Sequence, residues 1–279
     1  MKSPFSLFSP LRILALPPVL AAAFLSPDPA LALTCRSAAD CYNQGLAADG
    51  AMRYREAGAF YSQGCAGNNA LACTNLGFLF QQGKGVGEDL GKAAAYYQKG
   101  CQLGNAVGCV NLGLMYETGS GVKRSYRDAA GSYSRGCDLQ NGNSCTNYGV
   151  LAEKGLGLRA DPAVAAASYG LGCNLGNVTG CKNAGIIYLH GRGVPQDNQR
   201  ARSFFVRGCA MKNGDCCSNL GYMYEKGLLK DKDLKAAWKY YHQGCSLGSD
   251  VGCRNLARLG TEKPKSSQGP LQELDLDDY

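Results

Sequence analysis

A strict 36-residue repeat constrains this chain more than any other feature of its sequence. Pairs of cysteines separated by seven residues recur along it, and the first cysteine of each pair follows the previous one after 36 residues without a change of register. These first cysteines are Cys65, Cys101, Cys137, Cys173, Cys209 and Cys245. A fixed period of this size indicates stacked supersecondary units that bury their apolar faces against one another. The sequence therefore predicts a repeat solenoid.

Within each repeat the pattern predicts a helix, a loop and a second helix. The first helix carries Asn-Leu-Gly-x-x-Tyr, as in 111–116, where Leu112 and Tyr116 are four residues apart and share a face. A glycine-containing loop follows, and an Asp or Ser suited to N-capping precedes the second helix. The predicted caps are Asp89, Ser125, Asp161, Asp197 and Asp233. The second helix repeats an alanine and an aromatic residue four apart, such as Ala93 and Tyr97, which predicts a packing ridge in the core.

Cysteine usage predicts disulfide bonds. The chain has 15 cysteines, only 2 histidines and no Cys-x-x-Cys, which favours disulfides in an oxidising compartment over a metal site. Pairing across each hairpin, as in Cys73 with Cys101, would leave Cys35, Cys253 and Cys216 unpaired. Pairing within each frame leaves only Cys216, which we expect to be a buried filler. The predicted bonds are Cys35–Cys41, Cys65–Cys73, Cys101–Cys109, Cys137–Cys145, Cys173–Cys181, Cys209–Cys217 and Cys245–Cys253.

Residues 1–32 are predicted to be a secretory signal peptide. Basic residues precede the apolar run 13–25, and Ala-Leu-Ala at 30–32 supplies a cleavage pattern. An apolar run of this length is too short to span a bilayer, so no membrane span is expected. The sequence therefore predicts a secreted or periplasmic protein. The alternative is a lipoprotein anchored at Cys35, because residues 32–35 loosely resemble a lipobox.

The mature chain is predicted to have three parts. Residues 33–64 form a shortened capping repeat, because terminal repeats are commonly atypical. Residues 65–260 form five 36-residue repeats and a closing half-repeat. Residues 261–279 form an acidic tail that is expected to be disordered.

Charge and composition exclude several classes of partner. The formal net charge is +7, but the basic residues are spread thinly and form no Lys/Arg run. No nucleic-acid motif, metal-ligand spacing or phosphate-binding loop stands out. We therefore expect a monomer without a cofactor, a bound metal or a nucleic-acid partner.

These motifs together resemble Sel-1-like repeats. The Asn-Leu-Gly-x-x-Tyr helix, the Gly-x-Gly-Val loop, the capping Asp and the Cys-x7-Cys frame carry the resemblance over about residues 35–260. Within such proteins the chain is similar to the secreted, cysteine-rich Hcp group. The resemblance implies an all-α superhelix of αα-hairpins whose concave groove usually binds proteins. Some Hcp members are described as penicillin-binding proteins or β-lactamases. The segment 228–232 departs from the glycine loop, so we expect a different shape there.

The first functional hypothesis is a scaffold that binds a protein or peptide in this groove. An asparagine lies two residues after each second cysteine, and its carboxamide can both donate to and accept from an extended peptide backbone. These residues are Asn75, Asn111, Asn147, Asn183, Asn219 and Asn255. Apolar residues three positions later, among them Phe78, Leu114 and Tyr222, are candidate groove contacts. The alternative is that each asparagine satisfies backbone groups at the helix start.

The second hypothesis is β-lactam binding or hydrolysis, which rests on the resemblance alone. Serine β-lactamases carry Ser-x-x-Lys, Ser-Asp-Asn and Lys-Thr-Gly. This chain contains the first pattern at Ser120 and Lys123 but neither of the others, and Ser120 lies inside the repeat loop. No catalytic residue is therefore assigned, and the sequence favours binding over catalysis.

Overall fold

The computed structural model describes residues 34–261, so the predicted signal peptide and most of the predicted acidic tail lie outside the described residues. All regular structure in this range is helical, which confirms the all-α prediction. The helices are α1 (Ala38–Gly50), α2 (Tyr54–Ala66), α3 (Ala70–Gln82), α4 (Leu90–Gln102), α5 (Ala106–Thr118), α6 (Tyr126–Asp138), α7 (Gly142–Lys154), α8 (Pro162–Asn174), α9 (Val178–His190), α10 (Asn198–Ala210), α11 (Gly214–Lys226), α12 (Leu234–Ser246) and α13 (Asp250–Thr261).

The helices form antiparallel hairpins, each made of an odd-numbered helix and the following even-numbered one. From α3 onward the connection inside a hairpin is long, as in residues 83–89, whereas α1 and α2 are joined by residues 51–53 only. The connection to the next hairpin is short, as in 103–105. A left-handed glycine such as Gly83 or Gly119 ends each odd-numbered helix from α3 to α11. The predicted helix–loop–helix repeat is thus confirmed. Cys65, with which the sequence period was counted, lies in the last turn of α2.

Every helix from α3 to α12 begins at a side-chain cap. The capping residues predicted before the even-numbered helices are confirmed, since each accepts a hydrogen bond from a backbone N–H in the first turn. The odd-numbered helices have a second row of caps that the sequence interpretation missed. Its members are Asn69, Asn105, Asn141, Asn177 and Asn213.

All seven predicted disulfides are present, with Cα–Cα distances between 4.4 and 5.0 Å. Each of the six in the Cys-x7-Cys frames joins the end of one even-numbered helix to the first turn of the next odd-numbered helix, so it links consecutive hairpins. Closing a loop of this size contributes about 2.5 kcal/mol in the chain-entropy model. Cys35 at the start of the described residues is bonded to Cys41.

One aromatic ring per hairpin fills the core. Each ring is almost completely buried and packs against a glycine of the odd-numbered helix before it. A Cβ atom at Gly113, for example, would lie 2.5 Å from Cε1 of Tyr133. The glycines therefore let the two helices of a hairpin approach closely. The rings are Tyr61, Tyr97, Tyr133, Tyr169, Phe205 and Tyr241.

The loop between α11 and α12 departs from the others, as the sequence predicted. In four earlier loops the second glycine has positive φ and lies against the start of the preceding even-numbered helix; a Cβ at Gly193 would meet Pro162 at 2.2 Å. Leu229 occupies the equivalent position and is not left-handed. Its side chain and that of Leu228 pack on the neighbouring core. The loop is held by a 2.8 Å hydrogen bond from Asn198 Nδ2 to the Leu228 carbonyl.

The odd-numbered helices line the inner side of the stack. Successive odd-numbered helices contact one another along most of its length, for example α5 with α7 and α11 with α13, whereas contacts of this extent between even-numbered helices are confined to α4–α6 and α8–α10. Helices on the inside of a curved stack lie closer together than those outside. The odd-numbered helices therefore form the concave side.

Replacing Gly113 with Ala tests the close approach of the helices. We expect Gly113→Ala to lower the free energy of unfolding by about 1–3 kcal/mol, because the added methyl overlaps the buried Tyr133 ring. Gly131→Ala is the matched control: its Cβ meets nothing within 4 Å in the middle of α6, so it should stabilise by up to about 1 kcal/mol. Urea unfolding with disulfides intact measures both. Equal effects of the two changes would contradict the packing argument.

Candidate binding face of the odd-numbered helices

Four positions of each odd-numbered helix from α3 to α11 face the concave side together. On α5 they are Val107, Asn111, Leu114 and Thr118, spaced as i, i+4, i+7 and i+11, which places them on one stripe of a helix. Val107 and Leu114 are 51% and 43% exposed although both are apolar. We call the surface formed by these four positions the inner face. The last helix, α13, has residues at the first three of these positions only.

The inner face brings together the asparagines and apolar residues that the sequence singled out. All six asparagines are half-buried and lie in one row across the helices. Phe78, Leu114 and Tyr222 are exposed in the adjacent row, with half-buried Val150 and Ile186 between them. This placement leaves their predicted role in binding untested.

The chemistry of the inner face changes along the stack. On α3 and α5 it is apolar or uncharged, with Leu71 and Phe78 joining the residues of α5. From α7 onward basic side chains occupy the row at the helix C-terminal ends, where α3 and α5 have Gln82 and Thr118. The row reads Gln82, Thr118, Lys154, His190 and Lys226.

Four of the asparagines lie beside the hydroxyl of a buried core tyrosine. Burial raises the pKa of Tyr97 to about 12, and the nearby side chain of Asn111 partly opposes this rise. Asn75 has the same relation to Tyr61, whose pKa burial also raises to about 12. The other two pairs are Tyr133 with Asn147 and Tyr169 with Asn183.

Three of these tyrosine hydroxyls donate hydrogen bonds to side chains sixteen residues earlier, and that of Tyr61 donates to Asp49, twelve residues earlier. Tyr133 donates to Glu117 at 2.8 Å and Tyr169 donates to Glu153 at 2.7 Å. Burial raises the pKa of both phenols, and the nearby carboxylate raises it further. Tyr97 donates to Gln81 at 2.6 Å. Core and inner face are thus connected by a chain of acceptor, phenol and carboxamide.

One hairpin lacks this hydrogen bond because both of its partners are apolar. In α9 and α10 the acceptor position is Leu189 and the aromatic position is Phe205, and both are buried. Replacing donor and acceptor together avoids leaving either one unpaired. The next asparagine in the row, Asn219, therefore has no tyrosine hydroxyl beside it.

The interpretation that this asparagine row satisfies groups at the helix start is wrong. The separate row of capping asparagines accepts the first-turn N–H groups; Asn105, for example, accepts from Gly108 at 2.9 Å, while Asn111 lies more than one turn further along α5.

The last helix is held by a buried carboxylate. Glu225 of α11 accepts hydrogen bonds from Arg258 of α13 at 2.5 Å and from Tyr241 at 2.8 Å. Burial alone would raise the pKa of Glu225, but the bonds from Arg258, Tyr241 and Lys226 outweigh it and lower that pKa. This network fixes the C-terminal end of the inner face.

The residues of the catalytic alternative do not form a site. Ser120 lies in the loop after α5, and its hydroxyl pairs with that of Thr118 at 2.8 Å. Within residues 34–261 no hydrogen bond joins Ser120 to Lys123. The described part of the chain also contains no cluster of three or more metal-ligating side chains and no helix long and apolar enough to cross a membrane.

Cys216 is the one cysteine outside a disulfide, and it is buried in the first turn of α11. Burial raises the pKa of its thiol to about 12, with Lys182 opposing that rise. A thiol that stays protonated in the core is a poor nucleophile.

Hairpins stacked in this way, with a polar and apolar inner face, define the class of αα-hairpin repeat scaffolds. The sequence model of the family "Sel1 repeat" matches residues 70–105, 106–141, 142–177, 179–213 and 214–249. The chain therefore belongs to the Sel1 repeat family. These repeats build scaffolds that generally mediate protein interactions and are typically not enzymes. Each matched repeat begins at or near the first residue of an odd-numbered helix, so α1 and α2 precede the first match.

Solved structures have the same fold. The protective antigen c5321 of uropathogenic Escherichia coli, which displays an SLR fold, is 26% identical with a TM-score of 0.77 over 82% of this chain and 50% of that chain. This chain thus spans half the length of that antigen. A Sel1 repeat protein from Oxalobacter formigenes is 24% identical with a TM-score of 0.73 over 79% of this chain and 90% of that one.

Helicobacter pylori cysteine rich protein B is 30% identical over 48% of this chain and 96% of its own length, with a TM-score of 0.40. No curated protein sequence is significantly similar to the chain.

The buried phenols predict alkaline destabilisation. A tyrosine whose pKa is raised on folding keeps its proton longer in the folded than in the unfolded chain. Its contribution to stability is therefore complete below pH of about 10 and is lost as the pH rises toward 12. We expect the urea midpoint to fall between pH 9 and pH 11. In Tyr97→Phe the fall should be smaller; an identical fall would contradict this assignment.

Cys216 is expected to resist thiol reagents in the folded chain. With no reductant present, a maleimide should label less than a tenth of the chains in an hour at pH 7.5, because the thiol is buried and protonated. The same treatment in 6 M guanidinium should add one label per chain. Mass spectrometry measures both, and rapid labelling of the native chain would show that this thiol is accessible.

Proposed function

We propose that the protein binds an extended peptide segment of a partner protein along its inner face. The exposed apolar row carries this proposal: Phe78, Leu114 and Tyr222 are 43%, 43% and 37% exposed on one surface of otherwise well-packed helices. Apolar side chains grouped on a concave face are typical of interaction surfaces. The half-buried asparagine row beside them supplies donors and acceptors for a backbone.

The dimensions favour an extended ligand. Helices pack about 9 Å apart, so the inner face from α3 to α13 spans about 45 Å. A fully extended peptide of twelve residues reaches about 40 Å. Such a peptide can contact the apolar helices α3 and α5 and the basic row from α7 onward at the same time.

We further propose that the protein acts outside the cytoplasm, after removal of residues 1–32. The seven disulfides support an oxidising compartment, because cytosolic thiols are kept reduced. The bond between Cys35 and Cys41 favours a secreted or periplasmic protein over one that is lipid-anchored at Cys35.

Replacing Leu114 on the inner face tests the proposal. Biotinylated protein is used to select binders from a phage library of random twelve-residue peptides, and the affinity of the enriched peptides is measured by fluorescence anisotropy. We expect Leu114→Asp to weaken binding at least tenfold, because it removes an apolar contact and introduces a charge that the bound peptide would cover. The matched control is Leu171→Asp on the even-numbered helix α8, where Leu171 is 44% exposed.

The control should change affinity less than twofold. Failure to enrich any peptide would contradict the proposed function. Equal losses in the two variants would move the binding surface away from the inner face.

A further inference from the structure

Helix α12 exposes a stripe of ring and apolar side chains. Leu234 and Trp238 are four residues apart on one face of the helix, and each is 40% exposed. His242 continues the stripe one turn further, and its ring stacks on the Trp238 indole with the ring centroids 5.1 Å apart. We call these three residues the terminal stripe. An aromatic residue exposed within such a stripe is typical of an interaction surface.

In the earlier even-numbered helices the next hairpin covers the position of Trp238. The three alanines at this position are buried, and a Cβ at Gly58 would contact Cγ1 of Val86, in the loop of the next hairpin, at 3.5 Å. Within residues 34–261 no hairpin follows α13, so the terminal stripe has no such cover. The equivalent residues, spaced by 36, are Gly58, Ala94, Ala130, Ala166 and Arg202.

The chain that follows α13 starts at this end of α12. Helix α13 ends at Thr261, and Leu259 in its last turn packs in one cluster with Ala237 of α12. The eighteen residues 262–279 lie outside the described residues. A segment of this length reaches about 60 Å when extended, whereas α12 is about 20 Å long. It can therefore reach every part of the terminal stripe.

The sequence of this segment does not continue the repeat. The core positions of Ala237 and Tyr241 correspond, 36 residues later, to Glu273 and Asp277. A regular even-numbered helix would bury both carboxylates in the core, which is costly without a partner. Residues 271–279 instead interleave leucines with acidic residues. They are Leu271, Leu274 and Leu276, with Glu273, Asp275, Asp277 and Asp278.

Four exposed lysines surround the terminal stripe, and within residues 34–261 none of them forms an ion pair. Two of them directly follow Leu234 and Trp238 on α12, and the other two lie in the preceding loop. Two aspartates share the stretch 230–239, which leaves it a net charge of +2, four lysines less two aspartates. The surface thus complements an acidic segment that also carries leucines. The lysines are Lys230, Lys232, Lys235 and Lys239.

We propose that residues 271–279 bind to the terminal stripe and cover this end of the solenoid. Their leucines pack on Leu234 and Trp238, and their acidic side chains pair with the surrounding lysines. The bound segment gives the end of the stack a polar outer surface, as the ends of solenoids require.

Two arguments favour this segment over a separate chain. Because it is joined to α13, it is present at an effective concentration of about a millimolar, an advantage that a free partner lacks. A second copy of the chain is disfavoured, because a symmetric contact through the terminal stripe would bring the lysines of both copies together.

Trp238 is the single tryptophan of the chain, so its fluorescence reports the proposed contact directly. Acrylamide quenching of the oxidised chain through residue 279 measures how accessible the indole is. We expect deletion of 262–279 to raise the quenching constant at least twofold, and the paired change Leu274→Ser with Leu276→Ser to do the same. The matched control is Ser266→Ala with Ser267→Ala, which lies in the same segment outside 271–279 and should have no effect.

Charge reversal on α12 tests the ionic part of the contact. Lys235→Glu with Lys239→Glu should also expose Trp238, because it repels the acidic segment. In the chain without 262–279 the same reversal should change quenching little, since the segment it repels is absent. Lys123→Glu, an equal change of charge in the loop after α5, should leave quenching unchanged. Circular dichroism confirms that each variant folds.

The remaining outcomes overturn the proposal. Equal quenching in the unchanged chain and in both the deletion and leucine variants would show that the segment does not cover Trp238. Protection of Trp238 that increases with protein concentration, with a dimer seen by light scattering, would assign the terminal stripe to a second copy instead. Because the stripe lies on an even-numbered helix, the result is independent of the binding proposed for the inner face.

Discussion

The contact between one aromatic ring and one glycine in every hairpin determines the rest of the structure. Because the glycine has no side chain, the two helices approach until the ring is almost completely buried, as Tyr133 is against Gly113. Burial of such a ring is worth several kcal/mol, and each hairpin gains it from its own two helices. The caps act within single helices, whereas six of the disulfides join consecutive hairpins.

The same ring connects the core to the inner face. A buried phenol needs a hydrogen-bond partner, and Glu117 or Glu153 accepts from it while an asparagine of the next odd-numbered helix lies on its other side. A change inside the core therefore alters what the surface can offer. Where the phenol and its acceptor are replaced by Phe205 and Leu189, both side chains stay buried and no core hydroxyl is offered to the inner face.

Much of this fold could be predicted from the sequence because its determinants are local and periodic. The caps at Asp89 and Asp161, the buried aromatic row and the frame of each disulfide all recur at the same offset in each repeat. The capping role of Asn105 was missed, because it depends on the conformation of a three-residue connection. The relation between Asn111 and Tyr97 was missed as well, since it joins side chains of two different hairpins and requires their packing.

The six disulfides between hairpins have a consequence for proteolysis. Each one spans the short connection between an even-numbered helix and the next odd-numbered helix, as Cys101–Cys109 spans residues 103–105. A protease that cuts this connection leaves the two fragments covalently joined. A cut in the long loop 83–89 separates the chain into fragments held only by packing. The resistance of residues 34–261 to digestion is therefore set by the five glycine-containing hairpin loops and by the connection 51–53, which no disulfide spans.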